Sequence, residues 1–154
     1  MLGTTENLLV MADLPVPIIA TIIGEGGSGG ALAIGIADRL LMLEHAVYSV
    51  ASPEASATIL WRDVSQAPDA AKAMRITAKD LAEFGIIDAV IPEPEGGAHL
   101  DAIAAVAHVR TAIQEHLAAV VNYPVATLLE QRYNKYRRMG IVQEGQSALF
   151  AGRG

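Results

Sequence analysis

The chain has 154 residues, 52% of them hydrophobic and 18% charged, which excludes a disordered chain and allows one ordinary domain with a buried core. A net charge of −6 and a pI near 5.1 argue against nucleic acid or an anionic membrane surface as the main partner. Cysteine is absent, so a disulfide framework and a thiolate metal site are excluded, and the composition fits a reducing cytoplasm.

The N-terminal MLGTTENLLV has neither the basic start nor the apolar run of a signal peptide, and no stretch approaches the roughly 18 apolar residues of a membrane span. Thr5 to Asp13 reads as a short helix, ended by Pro15 and Pro17. Ile18 to Ile23 is rich in β-branched residues and apolar on both faces, which predicts a strand of a parallel sheet covered on both sides. Gly24 to Gly27 reads as a loop, and Ser28 to Ala37 as a helix of small residues with Ser28 as its N-cap. Two short strands follow, Leu40 to Leu43 and Val47 to Ala51. Ser52-Pro53-Glu54 has the order of a helix start, with a capping hydroxyl, proline at the first helical position and an acid in the first turn. The helix it opens carries Ala55 to Trp61.

Ala67 to Arg75 and Ala78 to Phe84 read as helices, the second stopped by Gly85, and Ala89 to Ile91 as the last strand. Pro92 and Pro94 keep the next segment out of regular pairing. Asp101 to Val121 is a long helix, and Pro124 separates it from a final one over Val125 to Met139. On that final helix Leu129, Tyr133 and Tyr136 share a face by spacing. The tail QEGQSALFAGRG reads as frayed, and the sequence shows no internal repeat.

The stretch GEGGSGG, from Gly24 to Gly30, supports three chemistries. Gly24, Gly26 and Gly29 spell the dinucleotide fingerprint, with Glu44 about twenty residues on, where a ribose-binding acid would stand. The short crossover and the few following strands count against it. Gly26, Ser28 and Gly30 spell a nucleophile elbow, and Ser28, Asp88 and His99 follow the chain order of that class. In the third reading the N–H groups of Gly29 and Gly30 open a helix and form an oxyanion hole, with the helix dipole adding positive charge. A glycine turn that only lets helix pack on strand is the bland alternative.

Longer stretches discriminate among these. PVPIIATIIGEGGSGGALAIGIAD, YSVASPEASATILWRD, APDAAKAM, LAEFGIIDAVIPEPEGGAH and, more weakly, RYNKYRRMG resemble the α subunit of bacterial acetyl-CoA carboxylase carboxyltransferase, in order and spacing, over Leu14 to Gly140. The resemblance implies an α/β crotonase-type fold, a spiral of ββα units, incomplete here and followed by C-terminal helices. It implies transfer of a carboxyl group from carboxybiotin, on a separate carrier protein, to acetyl-CoA, giving malonyl-CoA for fatty acid synthesis. The expected partners are the carboxyltransferase β subunit, the biotin carboxyl carrier protein and a second α subunit in an α2β2 assembly in the cytoplasm. The glycine pair after the serine, here Gly29-Gly30, would polarise the biotin ureido carbonyl. Gly26, Gly27, Ser28, Ser52, Pro53 and Glu54 would line the substrate. No metal is expected on this chain, because the family's zinc ribbon belongs to the β subunit.

A full α subunit is about twice as long, so the resemblance also implies a truncated or split subunit, with independent activity in doubt. Its parts would be residues 1–122 of the carboxyltransferase domain, a helix over 123–140 and a flexible tail over 141–154. The alternatives are a fragment acting only in subunit association and another crotonase-fold acyl-CoA carboxylase. Lys72 lacks the sequence setting of a biotinylated lysine, and the four histidines lack metal-ligand spacing. Ser52-Pro53-Glu54 reads more readily as a cap than as a substrate contact. Trp61 is expected in the core beside a solvated Arg62, with a subunit contact as the alternative. Arg132, Lys135, Arg137 and Arg138 read as a solvated basic face, or as a patch for coenzyme A phosphates or an acidic partner.

Overall fold

A computed structural model describes residues 4–140, so the tail over 141–154 lies outside the described residues. The chain begins with helix α1 (Thr4–Ala12). Strand β1 (Ile19–Ile22) leads into β2 (Glu25–Gly27), then helix α2 (Ser28–Gly35). Strands β3 (Arg39–Leu43) and β4 (Val47–Ser49) lead into α3 (Pro53–Trp61). After a 3-10 turn come α4 (Ala67–Met74), α5 (Ala78–Glu83), β5 (Ala89–Ile91), α6 (Ala102–Ala118) and α7 (Val125–Arg137).

The strands divide between two sheets. One is parallel with order β1-β3-β5, and the other is the parallel pair β2-β4. A strand in the first sheet, a strand in the second and a helix therefore occur twice, as β1-β2-α2 and β3-β4-α3. The fold is crotonase-like, an open α/β arrangement of ββα units followed by helices. The repeat is invisible in the sequence because it is one of backbone path, with GEGGSGG and VYSVASPE filling equivalent turns.

The glycine stretch is not all loop. Glu25–Gly27 pairs with Val47–Ser49, with Gly26 opposite Tyr48. A strand ladder there became legible only once β4 was in place beside it. Coverage of β1 is also incomplete: only Ile22 is buried, and Ile23 just beyond it is 71% exposed. As an edge strand β1 has a neighbour on one side, while β3 between its two partners is buried from Leu40 to Leu43. Leu40, Leu41, Met42 and Ile91 form the centre of the core, with Leu81 of α5 and, from α6, Val109, Ala112 and Ile113 packed around them.

The final helix presents a different face from the one its apolar spacing suggests. Leu128 and Arg132 are buried and Tyr136 half-buried, whereas Tyr133 is exposed. The inner face is set by a cation. Arg132 grips Asp38 through two hydrogen bonds, Nε to Oδ1 at 3.0 Å and a terminal nitrogen to Oδ2 at 2.8 Å. It also donates to the carbonyls of Met11, Ala12, Leu14 and Val16. Asp38 Oδ2 accepts from Ile18 N as well, at 2.7 Å. One guanidinium thus caps the end of α1 and fixes the link from α1 to β1. Lys135 bonds Asp88 at 2.5 Å, and Asp88 accepts from Leu40 N at 2.7 Å. The expected solvated basic face is therefore corrected for Arg132 and Lys135; Arg137 and Arg138 are exposed.

Trp61 also departs from expectation. It is 46% exposed at the end of α3, because Arg62 turns the chain there with φ 57° and leaves the indole outside the core.

Candidate active site

The glycine stretch runs from the C-terminal end of β1, through β2, straight into α2 without a linker. The reversal falls on Ser28, whose φ is 59°, a left-handed conformation that costs a residue with a Cβ. Ser28 is consequently not the N-cap. Gly27 takes that place in an extended conformation, with no side chain bonding the helix end. The first N–H groups of a helix have no partner within it, and no described cap or side chain takes those of Ser28, Gly29 or Gly30. All three residues are exposed, and the space where a Cβ would stand on Gly29 or Gly30 is open. Two adjacent amides thus stand in the exposed first turn, at the positive end of the helix dipole.

Beside them is a cleft of about 470 Å³, lined by Ser28, Gly29, Ala31 and Leu32 on one side and by Tyr48, Val50 and Ile86 on the other. Gly26, unlike the other two, has its space filled. It is buried, and a Cβ on it would lie 2.8 Å from Tyr48 Cδ2. Tyr48 crosses to α2 and donates from its hydroxyl to Ala31 O at 2.5 Å. Burial pushes its hydroxyl pKa up, so it stays a donor at neutral pH. The far end of α2 is held by Tyr136, whose hydroxyl accepts from Ala37 N at 2.7 Å and bonds the Gly35 carbonyl.

The other singled-out residues fall into place around this helix. Ser52 caps α3, its hydroxyl accepting from Ala55 N at 3.1 Å, with Pro53 at the first turn and Glu54 exposed. Because Gly27 pairs with Ser49, the starts of α2 and α3 both follow the same end of the small sheet. The serine-hydrolase set does not come together. Ser28 has the strand-to-helix turn, but Asp88 sits at the opposite end of the strands, occupied by Leu40 N and Lys135. Nothing among the described residues joins Asp88 to His99 or Ser28 by a hydrogen bond. The dinucleotide reading fails on topology, since the glycines form a strand of a separate two-stranded sheet. Glu44 Oε2 instead accepts from Glu93 N at 3.4 Å.

Sequence reasoning missed Tyr48, Asp38 and Glu93. Glu93, with a side chain only 7% exposed, accepts from His45 N at 2.9 Å and Ala98 N at 2.7 Å. Those backbone N–H groups, His45's foremost, hold its carboxyl below the usual range. A signal for Tyr48 exists only once Gly26 is known to stand opposite it. Among the described residues no group of three or more His, Asp or Glu side chains could hold a metal ion, and no helix is long and apolar enough to cross a membrane.

Comparison with known proteins adds to this geometry. The model of the family described as acetyl co-enzyme A carboxylase carboxyltransferase-like matches residues 3–140. The acetyl-coenzyme A carboxylase carboxyl transferase subunit alpha of Prochlorococcus marinus (strain MIT 9301) is 58% identical over 135 residues, 88% of this chain and 40% of its own length. The subunits beta/alpha protein of Salinispora arenicola (strain CNS-205), of the same description, is 54% identical over 143 residues, 93% of this chain and 25% of its own. The chain thus spans well under half the length of these curated relatives. Among solved structures, a Pseudomonas malonate decarboxylase hetero-tetramer in complex with coenzyme A aligns with a TM-score of 0.67 at 23% identity, over 87% of this chain and 54% of that one. This last likeness is one of fold.

Proposed function

Since the chain belongs to the acetyl co-enzyme A carboxylase carboxyltransferase-like family, we propose that it is the portion of an α subunit that presents the oxyanion hole for carboxyl transfer from carboxybiotin to acetyl-CoA, giving malonyl-CoA. One observation carries the reading: Gly29 and Gly30 put two adjacent N–H groups in the exposed first turn of α2, which has no side-chain cap, and Gly29 lines an apolar cleft. Carboxybiotin, on its carrier protein, supplies the carboxyl group and a ureido nitrogen as leaving group. The acetyl methyl carbon would take the carboxyl group and give up a proton, which the ureido nitrogen would accept as its bond to the carboxyl group breaks, with the charge developing in between spread to the ureido oxygen. The Gly29 and Gly30 N–H groups hold that oxygen and stabilise its growing charge, while the dipole of α2 adds to their pull.

Ser28 borders the same opening, Gly27 leads the chain into it, and Leu32 and Val50 line one side of it with apolar surface. Gly26 serves the site from beneath, by admitting the Tyr48 ring. Ser52, Pro53 and Glu54 bring the start of α3 to the same end, so that Glu54 faces solvent near the donors' side of the small sheet. In this reading residues 1–122 form the carboxyltransferase portion and 123–140 the helix that bolts back onto it. The thioester carbonyl is held by the β subunit, and the assembly of β subunit, carrier protein and second α subunit works in the cytoplasm.

Malonyl-CoA formation in a mixture of this chain, β subunit, carboxylated carrier and acetyl-CoA tests the proposal, with and without a supplied N-terminal half of an α subunit. Gly30→Val should lower kcat about 100-fold, the scale for loss of one oxyanion donor. An unchanged rate refutes the oxyanion role. A second reading, subunit association alone, draws on the exposed Ile59, Leu60, Trp61 and Val64 along the end of α3 and the turn after it. It would be left standing if neither mixture made malonyl-CoA while the chain still bound the β subunit.

A further inference from the structure

We propose that Tyr48 is the positioning residue of the Gly29–Gly30 amides, setting how α2 sits on β2; this rests on the oxyanion reading above. Tyr48 stands opposite Gly26 in the β2-β4 ladder, and its ring lies over that glycine. A Cβ on Gly26 would meet Tyr48 Cδ2 at 2.8 Å, closer than carbon atoms approach. At the far end of the ring, a Cβ on Gly35 would collide with the hydroxyl oxygen, while Cζ would stand at an ordinary 3.6 Å. From that same end the hydroxyl donates to Ala31 O at 2.5 Å, on the residue immediately after Gly30.

One side chain therefore measures the gap between β2 and α2, and two glycines are shaped around it. The division of labour among the glycines follows. Gly26 and Gly35 make room for Tyr48, whereas among the described residues nothing lies within 4 Å of the place where a Cβ would stand on Gly24, Gly27, Gly29 or Gly30. A helix whose first turn carries two glycines is locally soft, because glycine has the widest backbone freedom. The bond to Ala31, which is buried, ends that softness one residue beyond the donors. A donor pair acts on a developing charge only if it is held in place beforehand. Tyr48 supplies that restraint from outside the opening, with its ring as one wall of the cleft the donors face.

The test uses the full 154-residue chain, isotope-labelled, with Tyr48→Phe, Gly35→Ala and the two combined. Tyr48→Phe keeps the ring and loses the bond to Ala31. It should speed hydrogen exchange of the α2 amides about tenfold and shift the Gly29 and Gly30 amide resonances, leaving Leu41 and Met42 of the core strand unchanged. Gly35→Ala alone should disturb α2 more than Tyr48→Phe does, and combining the two should bring α2 back to the level of Tyr48→Phe alone, because the colliding oxygen is gone. In the reconstituted transfer assay Tyr48→Phe should lower kcat about tenfold with KM for acetyl-CoA unchanged. Equal acceleration in α2 and the core strand, unmoved glycine resonances, or failure of Tyr48→Phe to rescue Gly35→Ala would overturn the proposal. Full turnover by Tyr48→Phe beside an inactive Gly30→Val sinks the positioning role alone. Full turnover by Gly30→Val sinks the oxyanion reading, and the exchange data then still decide what Tyr48 holds.

Discussion

The two ends of the parallel sheet are built on opposite plans. Where β3 and β5 begin, charged side chains are paired, Arg132 with Asp38 in a buried bridge and Lys135 with Asp88 in a partly exposed one, both cations reaching in from α7. Where β1 ends, glycines, free N–H groups and exposed apolar residues surround an open cleft. Helix α2 spans the difference, since its start is open and its end is tied by Tyr136 to the Gly35 carbonyl and Ala37 N. The contrast teaches where rigidity comes from when the proposed working groups are backbone amides. Such donors cannot be braced by their own side chains, so the bracing is done one layer beneath and at the far end.

The contrast can be broken most severely at the bolted end. Arg132→Ala leaves Asp38 buried without its cation and frees four carbonyls at the α1 end, so unfolding stability should fall by about 3–5 kcal/mol. Chemical denaturation monitored by circular dichroism measures it. A loss below about 1 kcal/mol, the scale of an exposed pair, would show that the clamp does not hold the fold. At the glycine end one substitution type should give opposite results at two nearby positions. Gly26→Ala drives a methyl into Tyr48 and should cost about 1–3 kcal/mol. Gly29→Ala adds a methyl to open space in a helix and should leave stability unchanged or raise it by up to about 1 kcal/mol. Equal melting temperatures for the two variants would remove the distinction between packing glycines and donor glycines.

Much of the architecture was legible because local rules and tertiary packing agreed. The Ser52-Pro53 start of α3, the break at Pro124 and the strands at Leu40 and Ala89 follow from caps, proline and short apolar runs. The glycine pair was legible as a candidate for the same reason, since glycines after an apolar strand and before a helix can do few things. What escaped depended on residues far apart in the chain. Arg132 looks like one more surface cation until Asp38, 94 residues away, is placed beside it. Apolar spacing groups Leu129, Tyr133 and Tyr136 on α7 and does not reveal its buried face, because the anchor of that face is an arginine. Ser28 looked like a cap because caps are read one residue at a time, and the linker-free join of β2 to α2 is a property of the backbone path.

The smallest expected effect sharpens the comparison by asking what stiffens the open end. There the polar anchor is Glu93, just past β5, and its partners are backbone N–H groups, not buried cations. Its carboxyl is held below the ordinary value, so the charged form is favoured in the folded chain over the unfolded one. Its stabilising effect is fully present above the unfolded value of about 4.3 and is lost as pH falls through the lower folded value. Wild type should therefore lose melting temperature on acidification from about pH 5 to pH 3 more steeply than Glu93→Gln, and the two curves should converge at the acid end. Near neutral pH the variant should melt slightly lower, because a neutral amide oxygen is a weaker acceptor for His45 N and Ala98 N. Parallel curves across the whole range would mean that the carboxylate's charge does nothing for the open end. The stiffness of that end would then rest on the Tyr48 contact and on core packing beneath it.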